Sequence, residues 1–215
     1  SDPLADGPII QLSASNALNS GTTLTKVLEL LGNLKGKLNI PVILFTYFNP
    51  ILIYGFNKFC KIASEVGASG IIIPDLPLEE TSEYSKIASD FNLDLILLVA
   101  PTTPIDRMRL ITQRTNGFSY LVSVTGVTGE RNNLENRVEN LINKLKEIST
   151  KPIAVGFGIS SPEHVKQVRK WGADGAIIGS AFVKRIAEND QNNVVNEVGI
   201  FCEKMRLAAD EILDK

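Results

Sequence analysis

Six short apolar segments recur along the chain, and their spacing limits the fold more than any other feature of the sequence. Each is a continuous apolar run without polar alternation, which is typical of strands buried on both faces of a parallel sheet. Successive segments start 29, 24, 24, 34 and 23 residues apart. They occupy residues 42–46, 71–74, 95–99, 119–123, 153–157 and 176–179.

The segments between these runs have helical periodicity. Apolar residues three or four positions apart form stripes within 24–34, 56–66 and 134–148. We predict one helix at about 23–38 and a closing helix at about 192–213. Strands that alternate with helices predict a parallel α/β fold, which is either an open doubly wound sheet or a closed (β/α)8 barrel.

Length and composition exclude several classes of protein. A chain of 215 residues is long enough for one hydrophobic core, so we predict a single domain, 1–215. A net charge of -2 and a pI of about 5.6 argue against nucleic acid as a partner, because binding a phosphate backbone needs clustered lysine and arginine. No apolar run reaches the roughly 18 residues that a membrane-spanning helix needs. Cys60 and Cys202 are far apart in sequence and are expected to be reduced thiols.

Glycines concentrate after the last two predicted strands. Residues 156–162 read Gly-Phe-Gly-Ile-Ser-Ser-Pro, and residues 179–181 read Gly-Ser-Ala at the start of a helix. Glycine lets the backbone approach a ligand, and the first amides of a helix point at an anion, so these two loops predict a phosphate site. Either loop could instead make only a tight turn. No Walker or dinucleotide motif is present, so a nucleotide is not expected.

A third glycine-containing loop, residues 123–133, is long and polar for a connection between a strand and a helix. Loops of this kind often close over a substrate and exclude water, so we predict a lid. The alternative is a loop that is merely exposed.

Together these motifs resemble those of the alpha chain of tryptophan synthase. The matching segments occur in the family's order and at its spacing across essentially the whole chain. The Ser-Val-Thr-Gly sequence at 123–126 resembles the plant, algal and cyanobacterial branch. The segments are 1–8, 74–80, 120–123, 126–129, 156–162 and 179–181.

The resemblance implies a (β/α)8 TIM barrel that cleaves indole-3-glycerol phosphate to indole and glyceraldehyde 3-phosphate by a retro-aldol reaction, without a cofactor or metal. That chemistry needs one carboxylate at the ring N–H and a second acidic group that shuttles protons. In the family the second group is a glutamate on the second strand, which the match places before Ser1. Because residues 1–8 read as a loop after a strand, we expect about two βα units to precede Ser1, and residues 1–215 alone to have weak lyase activity.

The resemblance also implies the site residues. Asp6 would face the ring nitrogen, although an aspartate there could also cap a turn or helix. Tyr120 would position the indole. The apolar pocket would be lined by Phe45, Ile72, Leu98 and Phe157, any of which could be simple core residues. In the lid, Thr128 would meet Asp6 when the loop closes. The phosphate would be held by Gly129, Gly158, Gly179 and Ser180.

A partner is implied as well, the tryptophan synthase beta chain, which receives indole through a channel in an alpha-beta-beta-alpha complex. Tyr47, Asn49 and Ile51 match the family's surface for that partner, and the alternative is an ordinary loop on the active-site face. Two other functions stay open: a free-standing indole-releasing lyase, and a non-catalytic module that activates a beta chain. We expect a location in the cytoplasm or the plastid stroma, and we expect His164 to lie on a solvated helix surface.

Overall fold

A computed structural model describes residues 6–122, 131–156, 158–190 and 192–211, with the side chains of 131–137 outside that description. Strands and helices alternate through these residues, which confirms the predicted α/β class. The strands are β1 (Val42–Phe45), β2 (Ala68–Ile72), β3 (Asp94–Ile96), β4 (Leu98–Val99), β5 (Ser119–Val122), β6 (Ile153–Gly156) and β7 (Gly175–Ala176). The helices are α1 (Pro8–Asn19), α2 (Leu24–Leu34), α3 (Phe48–Tyr54), α4 (Phe56–Glu65), α5 (Thr81–Asp90), α6 (Ile105–Arg114), α7 (Arg131–Ile148), α8 (Pro162–Lys170), α9 (Ser180–Glu188) and α10 (Val194–Asp210).

Every strand pair in the described residues is parallel, and neighbouring strands follow the order of the chain. β1, β2 and β3 form one sheet, and β4, β5, β6 and β7 form a second. A doubly wound sheet would reverse its strand order part-way across. An unbroken order of parallel strands with intervening helices is the arrangement of a (β/α)8 barrel, so the strands follow the second of the two predicted architectures.

Leu97 separates β3 from β4 within the segment that was predicted to be one strand. Its backbone N–H donates to the hydroxyl of Thr115 at 2.9 Å, and its carbonyl accepts from the Tyr120 amide at 3.1 Å. Thr115 is buried, and its hydroxyl donates to the Phe118 carbonyl at 2.8 Å. The Leu97 amide therefore bonds to a side-chain hydroxyl and not to the backbone of a neighbouring strand, and the two sheets meet at this residue.

Two helices, α1 and α3, were not predicted from the sequence. α1 begins at Pro8 after Gly7, and none of its side chains is fully buried, so the apolar stripe that marks the other helices is missing. α3 begins after Tyr47, and its Pro50 lies in the first turn, where proline is tolerated. The helices predicted from periodicity, α2 and α10, are present and shorter than predicted. Among the described residues, none of these helices is both long and apolar enough to cross a lipid bilayer.

The two faces of the strands have different surroundings. Leu121 and Val155 are fully buried in a core that includes residues of α6, α7 and α8. Tyr120 and Gly156 precede and follow them and are only partly buried. Because successive side chains of a strand point to opposite faces, Tyr120 and Gly156 share the face away from that helix layer. This second face leads to the carboxyl ends of the strands, where the candidate site lies.

Candidate active site

Asp6 lies directly before Gly7, the residue that precedes α1, and its side chain is engaged with a distant residue. The hydroxyl of Tyr47 donates to Oδ2 of Asp6 at 2.8 Å, and the two residues are 41 positions apart. The side-chain amide of Gln11 donates to the Asp6 backbone carbonyl at 2.7 Å. The start of α1 has no side-chain cap, so the alternative reading of Asp6 as a helix cap is not the arrangement in the structure.

The backbone around Tyr47 is tied to the neighbouring strand. Tyr47 follows β1, and the next amide, that of Phe48, donates to Oδ1 of Asp75 at 2.8 Å. Asp75 follows β2, and the Thr46 amide donates to the Ile72 carbonyl at 3.1 Å. Asp6, Tyr47 and Asp75 therefore form one group at the carboxyl ends of β1 and β2, called here the carboxylate cluster.

Tyr120 lies on β5 against a glycine. A Cβ atom built on Gly156 would be 2.6 Å from the Tyr120 hydroxyl and 2.7 Å from its ring, so only glycine leaves room for this tyrosine. Burial raises the pKa of the Tyr120 phenol, and the hydroxyl stays protonated at neutral pH. Leu98 of β4 and Ala154 of β6 are its register partners, so Leu98 and Tyr120 lie side by side.

Phe45 and Ile72 are register partners on β1 and β2. Phe45 is 61% exposed at its strand end, whereas Ile72 is 7% exposed and lies outside the main hydrophobic core cluster. Ile96, which pairs with Ile72, is also buried outside that cluster. These positions fit the inner face of a barrel and do not fit the helix-facing core.

The two predicted phosphate loops, 156–162 and 179–181, reach the same cavity. It has a volume of about 430 Å³, and Ser160 from the first loop and Ser180 from the second both line it. Gly158 has a φ of +56°, which favours glycine. Gly179 directly precedes α9, and a Cβ built on it would meet no heavy atom within 4 Å. The start of α9 is therefore open to a ligand, and we call these segments the glycine-loop pair.

The cavity also contains residues that sequence analysis missed. Ile9 of α1 lines it, which brings the segment after Asp6 beside the glycine-loop pair. Lys184 and Arg185 of α9 line it too, together with Glu188, whose carboxylate pairs with the Lys184 ammonium at 3.7 Å. Lys184 lies four residues after Ser180. That helical spacing places both residues on one face of α9, and it could have identified Lys184 from the sequence.

The remaining predicted features are the lid, the single histidine and the two cysteines. Thr128, Gly129 and Phe157 lie outside the described residues, so the lid stays a prediction. His164 is exposed on α8, where its Nδ1 accepts the Ser160 amide at 3.3 Å. Both cysteines are free thiols as predicted.

Comparison with known proteins shows which family the chain belongs to. A family model described as the tryptophan synthase alpha chain matches residues 1–210. This chain belongs to the tryptophan synthase alpha chain family.

Individual proteins of this family that resemble the chain support the same assignment. The tryptophan synthase alpha chain of Prochlorococcus marinus subsp. pastoris is 70% identical over 211 residues, which cover 98% of this chain and 76% of the relative. The tryptophan synthase A-subunit structure from Pyrococcus furiosus has a TM-score of 0.87 at 35% identity and covers 96% of this chain and 82% of that chain. A tryptophan synthase complex from Pyrococcus furiosus has a TM-score of 0.86 at 33% identity, with the same coverage. The cyanobacterial relative agrees with the predicted branch, and the structural neighbours confirm the TIM barrel.

Of the three residues predicted to face a tryptophan synthase beta chain, one was placed wrongly. They lie in and before α3, not in a loop. Ile51 is fully buried in the hydrophobic core, because it occupies the inner face of that helix. Asn49 is exposed, and Leu52 and Ile53, at helical spacing from it, are 49% and 80% exposed. Tyr47 is partly buried and points to Asp6.

Proposed function

We propose that this protein works as a tryptophan synthase alpha subunit, a carbon–carbon lyase that cleaves indole-3-glycerol phosphate to indole and glyceraldehyde 3-phosphate. One observation carries the proposal: the carboxylate of Asp6 and the glycine-loop pair lie at one end of the strands, joined by α1, whose Ile9 lines the cavity of Ser160 and Ser180. The substrate has a ring N–H at one end and a phosphate at the other. These two ends match the two parts of the site.

Asp6 would stabilise the charge that develops during cleavage. The ring carbon bonded to the glycerol chain gains a proton, which places positive charge on the ring nitrogen. The hydroxyl on the adjoining carbon then loses its proton as the carbon–carbon bond breaks, and that carbon becomes the aldehyde. A carboxylate at the ring N–H lowers the energy of the charged state. The proton transfers need a second acid–base group, which the resemblance assigns to a glutamate on the family's second strand.

The remaining residues would hold the substrate. Phe45, Ile72, Leu98 and Tyr120 would contact the indole, with Tyr120 neutral and seated against Gly156. The phosphate would bind at Gly158 and at the first amides of α9, where the positive end of the helix dipole favours an anion. Gly129, Thr128 and Phe157 belong to this proposal through the resemblance alone.

A beta chain would dock on the exposed face of α3. Asn49, Leu52 and Ile53 lie on that face, and two of the three are apolar and exposed. Large exposed apolar side chains grouped on one helix are typical of a binding surface. Because α3 directly follows Tyr47, this surface adjoins the carboxylate cluster.

The proposal is tested by measuring indole release from indole-3-glycerol phosphate by the protein expressed from its complete gene. The parent should release indole, and Asp6→Asn should lower kcat by about 100-fold or more, since it removes the charge and keeps the shape. Asp90→Asn, at the exposed end of α5, is the matched control and should leave kcat unchanged. A parent protein that releases no indole, or an Asp6→Asn variant as active as the control, would contradict the lyase function.

Addition of a beta chain separates the subunit from the two alternatives. A large rise in indole release supports the subunit, and an unchanged rate supports a free-standing lyase. Stimulation of the beta reaction without indole release would identify a non-catalytic module. Ile53→Asp should weaken binding to the beta chain, whereas Val195→Asp on α10, where the parent residue is also 80% exposed, should bind as the parent does. Equal binding of both variants would rule out the α3 surface.

A further inference from the structure

We infer that Tyr47 is a positioning residue for Asp6, an inference that rests on the proposed lyase function. Its phenol donates to Oδ2 of Asp6 at 2.8 Å. A hydrogen bond to an ionised acceptor is roughly twice as strong as one between neutral groups. The contact therefore holds the Asp6 side chain in one orientation.

Tyr47 can hold Asp6 because its own backbone is fixed on the next strand. The Phe48 amide donates to Asp75 at 2.8 Å, and the Phe48 ring packs edge-on against Tyr84, with centroids 4.9 Å apart. These contacts anchor the start of α3 to the segments that follow β2. The phenol thus extends from an anchored backbone and does not depend on Asp6 for its place.

Asp6 is held from its other side by α1. The Gln11 side chain donates to the Asp6 carbonyl at 2.7 Å, and Gly7 and Pro8 begin the helix directly after it. The backbone and the carboxylate are therefore oriented by separate elements. Tyr47, which follows β1, and Gln11 of α1 together define the position of one charged group.

This arrangement determines which carboxylate oxygen meets the substrate. With Oδ2 engaged by the phenol, Oδ1 is the oxygen that would face the ring N–H of the substrate. Positive charge develops on the ring nitrogen during the reaction, so a carboxylate held in advance stabilises the transition state more than the bound substrate. Loss of the phenol should lower kcat and leave KM almost unchanged.

The test compares Tyr47→Phe with Tyr54→Phe in the protein expressed from its complete gene. Tyr54 ends the same helix, α3, with its ring under the Lys58 ammonium at 4.7 Å. Tyr47→Phe should lower kcat for indole release about tenfold, with KM within about twofold of the parent. Tyr54→Phe should change neither by more than about twofold. A rise in KM at unchanged kcat, or equal effects of the two variants, would overturn the inference.

A double-mutant cycle with Asp6→Asn distinguishes positioning from general support of the fold. Once the carboxylate is gone, adding Tyr47→Phe should lower kcat by less than about twofold further. The same four proteins are unfolded in urea, and the two substitutions should shift the midpoint non-additively. Additive midpoints, or a full tenfold kcat loss in the Asp6→Asn background, would overturn the inference. If the parent releases no indole, the proposed lyase function is contradicted. The urea measurements on the four proteins would still decide whether Tyr47 and Asp6 are energetically coupled.

Discussion

The carboxylate cluster and the glycine-loop pair are built in different ways. The glycine-loop pair consists of two short segments, 156–162 and 179–181, and each follows one strand. The carboxylate cluster depends on hydrogen bonds that join residues 41 and 27 positions apart. Backbone conformation determines the first, and long-range side-chain contacts determine the second. We therefore expect the glycine-loop pair to be most sensitive to added atoms, and the carboxylate cluster to lost hydrogen bonds.

The largest effect is expected at Gly179. A side chain there points into open space, so Gly179→Asp should fold and then repel the substrate phosphate. KM for indole-3-glycerol phosphate should rise at least about 100-fold, equivalent to about 2.8 kcal/mol. Gly179→Ala adds a methyl group without charge and should raise KM far less. Similar KM values for the two variants would mean that the phosphate binds elsewhere.

A smaller effect is expected at Gly156, the last residue of β6 and the first residue of the glycine-loop pair. Gly156→Ala places a Cβ 2.6 Å from the Tyr120 hydroxyl, so the tyrosine must move. Overpacking should cost about 1–3 kcal/mol of unfolding free energy and lower kcat/KM about tenfold.

Gly175→Ala is the control for Gly156→Ala, because its Cβ would be 3.5 Å from the Ala154 Cβ, an ordinary contact. It should be neutral or stabilise by up to about 1 kcal/mol. Urea unfolding and indole release check both variants. If Gly156→Ala retains parental stability and activity, Tyr120 is not confined as the structure shows.

The smallest effect is expected at Asp75. Asp75→Ala removes the acceptor of the Phe48 amide and should lower the unfolding free energy by about 1 kcal/mol. Asp75→Asn keeps an acceptor oxygen and should lower the unfolding free energy by less. Unfolding in urea distinguishes the two variants. If Asp75→Asn loses as much unfolding free energy as Asp75→Ala, the hydrogen bond from the Phe48 amide to Asp75 does not anchor α3.

The errors of the sequence analysis have identifiable physical causes. α1 was missed because it has no buried stripe, so periodicity had nothing to detect. The segment 95–99 was predicted as one strand because its apolar run is continuous, and only the position of Thr115 divides it. Ile51 was placed on a partner surface by the resemblance, and the helical turn of α3 buries it instead. Asn49, in the same helix, is exposed.

The sequence by itself determined the alternation of strands and helices, the positions of the glycine loops and the family. These features depend on local backbone preferences and on the order of motifs, which neighbouring residues encode. Only the tertiary structure decided that Tyr47 meets Asp6, that Asp75 anchors the start of α3, and that Ile9 lines the cavity beside Ser160 and Ser180. Such contacts join residues that are far apart in sequence, and no local pattern records which side chains become neighbours when parallel strands are brought together.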